Sequence, residues 1–273
     1  MPELPEAETV ARALRRVLPG HAITAVEVRA PKLRTSLEPL KTAGLEGRRI
    51  TAVHRRGRYV VLALEDGRGL LMHLGMSGVV RVEPPEVPRR RHEHVLLHLD
   101  SGLCFRFEDP RRFGALECLP LKPDGLPAAL DFLGPEPLSA DFDGGYLYRM
   151  SRKRRTPAKV LLMDNAVVTG VGNIYATESL FAAGISPRRQ AGRLTRAQCE
   201  ALASAVKEIL ARAIEAGGTT IADFQGVDGT EGQFTQQLQV YGREGQPCPR
   251  CGAILKAVQL GGRTSCYCPR CQK

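Results

Sequence analysis

No apolar run in this chain approaches the ~20 residues that a bilayer span requires, so a helical membrane protein is excluded. No basic-then-apolar segment opens it, and the expectation is a cytoplasmic protein. No internal repeat is present, which sets aside repeat arrays. Negative charge is also in short supply. Asp and Glu number 29 against 39 Lys and Arg, leaving a net charge of +10 and a pI near 9.4. Such an excess suits a polyanionic partner, because phosphate neutralisation releases counterions. With 43% hydrophobic residues over 273 positions, the chain is globular and long enough for two compact domains and a small appendage.

The eight cysteines are unevenly placed. Cys104, Cys118 and Cys199 are isolated and read as small buried hydrophobes. The other five fall in the last 26 residues. Without a secretory signal, that crowding points to metal rather than disulfides. Cys248-Pro-Arg-Cys251 and Cys268-Pro-Arg-Cys271 are separated by sixteen residues. Two such knuckles suit tetrahedral thiolate coordination of one zinc ion, and four cysteine ligands leave no open position, so the zinc is expected to be structural. Cys266 is then a spectator. Arg243, Lys256 and Arg263 ride on or beside this hairpin, where phosphate contact and a solvated surface are both open readings.

Residues 5–18 carry Val10, Ala13, Leu14, Val17 and Leu18 on one helical face, with Glu6 and Glu8 near the N-terminal end and Pro19-Gly20 as the stop. From about 23 to 118 the texture becomes short β-branched runs: ITAVEV, YVVLAL, LLMHL, VVRVE, HVLLHL and LCFRF. With no crossover helices between them, they predict an antiparallel sandwich or barrel. Residues 119–150, rich in Pro, Gly and Asp, read as a linker. The second half is helical, through AKVLLMDNAVV and NIYATESLFAAGI, then a helix opened by a Thr195/Gln198 capping box. The glycine-rich stretch 217–235 reads as a functional loop.

Other basic clusters are Arg89-Arg90-Arg91, Arg111-Arg112 and Arg152-Lys153-Arg154-Arg155, each by itself the signature of a wet face. The DPRRFG segment at 109–114 differs: arginine can read base edges, while Phe113 or Met76 can wedge into a base stack. A buried Phe113 with a structural Asp109–Arg pair is the competing reading. The opening MPELPE also has two. Proline is welcome in a first helical turn. Yet if Met1 is removed, Pro2 presents a secondary amine, nucleophilic near neutral pH, with Glu3 beside it to move protons.

Together, MPELPE, HLGMSG, DPRRFG, LGPEPLS, GVGNIY followed by ES, VYGR and the four-cysteine finger resemble bacterial formamidopyrimidine-DNA glycosylases along essentially the whole chain. Leu4 favours this branch over the related endonuclease VIII enzymes, whose start typically reads MPEGPE. The resemblance implies an α+β protein: an N-terminal helix plus antiparallel β-sandwich (1–130), a linker (131–150), a helix–two-turn–helix DNA-binding domain (151–235) and a zinc hairpin (236–273). It implies a monomeric DNA glycosylase and abasic-site lyase acting on double-stranded DNA that carries 8-oxoguanine, formamidopyrimidines or abasic sites, with the lesion flipped from the stack. By the same resemblance Pro2 is the nucleophile, Glu3 the acid/base, and Arg263 the finger arginine of δ-elimination and phosphate binding. His92, Arg111, Arg155, Lys159 and Asn173 fall on DNA-contact positions, Arg155 standing where lysine is frequent. Met76, Arg111 and Phe113 match the trio that fills the gap left by the flipped base, and the 217–235 loop would cap that base. One departure stands out. The family's RRGKY or RRAKY ends here in Arg56-Gly57-Arg58-Tyr59, with arginine where a catalytic lysine is expected, and that role is not carried onto Arg58.

Overall fold

A computed structural model describes residues 2–219 and 233–273. The chain forms two compact units, one comprising residues up to Asp131 together with Ala216–Gln233, the other Phe132–Glu215 with Phe234–Lys273.

The first unit opens with α1 (Leu4–Val17). Leu4, Ala7, Val10, Ala11 and Leu14 recur at helical spacing and are buried, Glu6 sits in the first turn, and Arg15 and Arg16 in the last, complementing the helix dipole. There follow β1 (Ile23–Val28), the short α2 (Glu38–Lys41), β2 (Ile50–Arg56), β3 (Tyr59–Leu64), β4 (Arg68–His73), β5 (Val79–Glu83), β6 (Glu93–Leu99), β7 (Cys104–Glu108) and β8 (Ala115–Pro120). They build two antiparallel four-stranded sheets, in the orders β1-β6-β7-β5 and β2-β3-β4-β8. One hydrophobic core joins them: Val80, Val95, Leu97, Phe105 and Phe107 from the first sheet, Val53, Val60, Leu62, Leu70, Met72 and Leu116 from the second, and Val10 and Leu14 from α1. This is the expected sandwich, with the helix sealing part of its core.

The second unit contains α3 (Gly144–Ser151), α4 (Ala158–Met163), α5 (Asn173–Ala182) and α6 (Arg196–Glu215), followed by the hairpin β9 (Lys256–Leu260) and β10 (Arg263–Tyr267). All of α3 but Ser151 lies inside the stretch whose composition reads as a linker. The Thr195/Gln198 capping box is present, Thr195 N donating to Gln198 Oε1 at 3.1 Å and Gln198 N to Thr195 Oγ1 at 3.2 Å. Leu260 pairs with Arg263 across Gly261 and Gly262, both at positive φ (56° and 70°), as a type I′ turn demands. That turn puts Arg263 at the exposed tip of the hairpin. Among the described residues no helix is long and apolar enough to cross a membrane.

Candidate active site

Pro2 and Glu3 precede α1 and are buried, Glu3 to 2% exposure. Glu3 is the N-cap: its side chain accepts from the backbone N–H of Glu6, while its own N–H donates to Glu6 Oε2 at 2.7 Å. The second oxygen of Glu6, a residue with no exposed surface, accepts from Thr219 N at 2.8 Å and Thr219 Oγ1 at 2.9 Å. One carboxylate therefore ties the residue after the candidate nucleophile to the root of the glycine-rich loop. Most of that loop, 220–232, lies outside the described residues, and so does its expected capping role.

In the same unit the HLGMSG and DPRRFG turns are locked together. Asp109 is fully buried, and its carboxylate accepts from Ser77 Oγ at 2.7 Å and Gly114 N at 2.7 Å. Ser77 Oγ in turn accepts from Arg111 N at 3.2 Å. An added Cβ at Gly75, where φ is +65°, would lie 2.4 Å from the backbone of Phe113 and Gly114, so only glycine permits this approach. Burial, with the charges of Arg34 and Arg58, pulls His73 down to about 3. The neutral ring accepts from Gly75 N at 3.0 Å through Nδ1. Out of this brace project half-buried Met76, exposed Arg111 and Phe113, the last 48% exposed with the Arg111 guanidinium 5.0 Å from its ring centroid. The buried reading of Phe113 fails; the structural role of Asp109 holds, although its partners are Ser77 and Gly114. Half-buried His92 adjoins the same turn, its carbonyl accepting from Asp109 N at 3.0 Å.

In the second unit, Arg152 stacks on Tyr148 at 4.0 Å and Arg154 pairs with Asp164 at 3.2 Å, whereas Arg155 is exposed, without a side-chain partner among the described residues. Lys159 is fully buried. Its ammonium donates to Asn173 Oδ1 at 2.5 Å, Ser265 Oγ at 2.6 Å and the Thr264 carbonyl at 3.2 Å. The lysine expected to contact DNA is thus an internal brace that joins the start of α5 to the hairpin strand β10. By occupying Oδ1 it leaves the Asn173 NH2 group to donate elsewhere, beside the positive end of α5.

The sulfur atoms of Cys248, Cys251, Cys268 and Cys271 all lie within 4.8 Å of one another, with Cys248–Cys271 at 3.9 Å and Cys251–Cys268 at 3.5 Å. A zinc–thiolate tetrahedron with bonds of about 2.3 Å has sulfur–sulfur edges of about 3.8 Å, so the residues fit the ion. Cys271 N donates to Cys268 Sγ at 3.3 Å, as a thiolate ligand favours. Cys266 stands outside the quartet and packs with Phe181, Val240 and Leu255. Burial pushes the isolated Cys104 and Cys199 thiols up, as befits unreactive core residues.

Three domain signatures match in sequence: the formamidopyrimidine-DNA glycosylase N-terminal domain over 1–116, its H2TH domain over 133–225, and a zinc finger found in FPG and IleRS over 245–273. The formamidopyrimidine-DNA glycosylase of Alcanivorax borkumensis is 52% identical over 273 residues, covering 100% of both chains. The chain belongs to the formamidopyrimidine-DNA glycosylase family. Among solved members, the Lactococcus lactis G226P mutant in complex with Fapy-dG-containing DNA superposes with a TM-score of 0.92 at 34% identity, covering 100% of each chain. A MutM in complex with carbocyclic 8-oxo-G-containing DNA gives 0.90 at 34% identity, again over 100% of each. Against this family background, sequence reasoning missed Glu6 and Ser77 as organisers of the site, and gave Asp109 an arginine as partner in place of Ser77 and Gly114. Only Glu6 left a local trace, because Glu3-x-x-Glu6 has capping-box spacing.

Proposed function

We propose that this family member is a bifunctional DNA glycosylase and abasic-site lyase that removes 8-oxoguanine and formamidopyrimidines from double-stranded DNA. The observation that carries the reading is the clamped terminus, with Pro2 and Glu3 held at the start of α1 by the buried Glu6. The Pro2 nitrogen, freed by loss of Met1, attacks C1′ of the flipped nucleotide. The C1′–base bond breaks and the base leaves with a proton supplied through Glu3; the C1′–O4′ bond then opens, O4′ takes the proton given up by the Pro2 nitrogen, and an iminium remains between Pro2 and C1′. This cation acidifies C2′, and loss of a C2′ proton expels the 3′ phosphate. A second elimination releases the 5′ phosphate, with Arg263 binding the phosphate, and water then frees Pro2. Arg111, Arg155, His92 and the NH2 group of Asn173 supply charge and donors for the strands, and Met76, Arg111 and Phe113 fill the vacated stack. Zinc, when bound, supplies only the fold of the hairpin that carries Arg263. The domain division is the one that the resemblance implies, and the protein works as a monomer in the cytoplasm. Borohydride added to Met1-free protein with abasic duplex is expected to fix a covalent adduct through Pro2; an adduct-free mixture that still cleaves the strand would overturn the mechanism.

Arg58 favours a slower second stage. It occupies the two-residue turn between Arg56 and Tyr59, half-buried, and its charge reaches His73. A guanidinium keeps the positive charge of the usual lysine but neither its compact shape nor its readiness to release a proton. Arg58→Lys is expected to speed strand cleavage at a preformed abasic site by roughly fivefold or more, about 1 kcal/mol of barrier. DNA affinity should change less. Single-turnover rates that are the same for the two proteins, both in abasic-site cleavage and in 8-oxoguanine excision, would mean that the departure is neutral.

A further inference from the structure

The loop from 84 to 92, PPEVPRRRH, carries three consecutive arginines that the proposed chemistry leaves unused. They are not equivalent. Arg90 turns inward, pairing with Glu83 and reaching Glu93 at 3.3 Å. Beneath the loop lies Arg106, 3% exposed, which donates to the carbonyl oxygens of Pro84, Pro85 and Val87 at 3.2, 3.0 and 3.0 Å. Its charge is balanced by the buried Glu93 at 3.2 Å. The loop backbone is therefore fixed from below at three points. Arg89 and Arg91, on either side of Arg90, are exposed and have no side-chain partner among the described residues. The loop ends at His92, hydrogen-bonded through its carbonyl to Asp109, the first residue of the turn that presents Arg111.

We propose that Arg89 and Arg91 form a phosphate-binding strip that lengthens the DNA contact beyond His92; this rests on the repair reading above. An exposed guanidinium that has neither carboxylate nor ring to engage is suited to a phosphate, which it can grip with two N–H groups. Because the backbone is already fixed, binding has only the two side chains left to order. The contact is independent of base sequence, so it contributes to affinity and to scanning of undamaged duplex rather than to lesion choice.

The test compares full-length, zinc-loaded, Met1-free protein with Arg89→Ala/Arg91→Ala, measuring affinity for undamaged duplex from 50 to 200 mM salt. Each phosphate contact contributes about 0.9 to the slope of log K against log salt, so the double variant should lose between about 1 and 2 from that slope. At about 0.1 M salt its affinity should fall by roughly ten- to sixtyfold. Its single-turnover excision rate at saturating enzyme should be unchanged. Arg89→Lys/Arg91→Lys should keep the slope. Lys41→Ala/Lys122→Ala, which removes two charges elsewhere in the unit, should leave it nearly intact. An unchanged slope in the arginine double variant, or an equal loss in the lysine control, overturns the strip while leaving the repair reading standing. If the unaltered protein neither binds duplex DNA nor forms the borohydride adduct, the repair reading falls and the strip with it.

Discussion

Protein that retains Met1 is expected to excise no base at all. In a retained Met1–Pro2 bond the proline nitrogen is an amide, its electron pair delocalised into the carbonyl, and it cannot attack C1′. Free, the same nitrogen is a secondary amine; an unperturbed terminal amine titrates near ~8, so a substantial fraction is nucleophilic at neutral pH. The structure explains why the position matters as much as the chemistry. Pro2 is followed by a residue whose N–H is held by Glu6 at 2.7 Å, on a helix whose Leu4, Ala7, Val10 and Leu14 are buried in the core. Little freedom is left for the nucleophile to search, and orientation of this kind can supply several kcal/mol of a barrier. Pro2→Gly keeps an amine at that place and should retain part of the activity, whereas a retained Met1 should lower the single-turnover rate by at least ~10⁴-fold, to background. Intact mass, read beside excision of 8-oxoguanine from duplex DNA, decides it. Full activity from a sample whose mass still includes Met1 would remove Pro2 from the mechanism.

Three strands could be read in advance from their β-branched runs, whether central or at a sheet edge: Ile23–Val28, Tyr59–Leu64 and Val79–Glu83 coincide with ITAVEV, YVVLAL and VVRVE. β2 opens with the β-branched ITAV but its run breaks at His54-Arg55-Arg56, and β8 has no β-branched residue; both are edges of the second sheet. A strand that is half solvated can hold His54, Arg55 and Arg56, or end in Pro120, without losing a ladder bond on the side that matters. α3 hides behind Gly144-Gly145, poor helix formers by propensity. Tertiary contact wins there, because Asp143 caps the helix by accepting from Tyr146 N at 2.6 Å and an added Cβ at Gly144 would strike Cα of Glu200 on α6 at 2.5 Å. AKVLLMDNAVV promises a longer helix than α4, which stops at Met163 because Asp164 turns the chain, accepting from Ala166 N at 3.0 Å. In the site, spacing alone exposed the four cysteines. Asp109 with Ser77, or Glu6 with Thr219, joins residues 32 and 213 positions apart, and no local pattern announces such pairs.

Loss of zinc is expected to weaken duplex binding by two orders of magnitude or more, while the first unit keeps its stability. A two-stranded hairpin is marginal by itself in water, and the core under β9 and β10 is small, consisting of Phe181, Val240, Leu255 and Cys266 with the ligand cysteines. The ion's binding free energy is therefore the hairpin's folding free energy. When it is lost, Arg263 no longer has a fixed place at the tip of the turn. The damage then reaches inward through Lys159, a fully buried ammonium that depends on the Thr264 carbonyl and Ser265 Oγ of β10. Each of these hydrogen bonds to a charged group is worth about 1.5–3 kcal/mol, so their loss is expected to shift Lys159 and loosen its hold on Asn173 at the start of α5. Cys248→Ser should accordingly show no stoichiometric zinc, the stated fall in affinity, and faster amide exchange in 256–267 and around Asn173. Exchange in β3, β4 and β6 should stay slow, since the sandwich has its own core. Zinc-free protein that binds duplex DNA with undiminished affinity would show that the hairpin is no part of the binding surface and that Arg263 acts, if at all, without it.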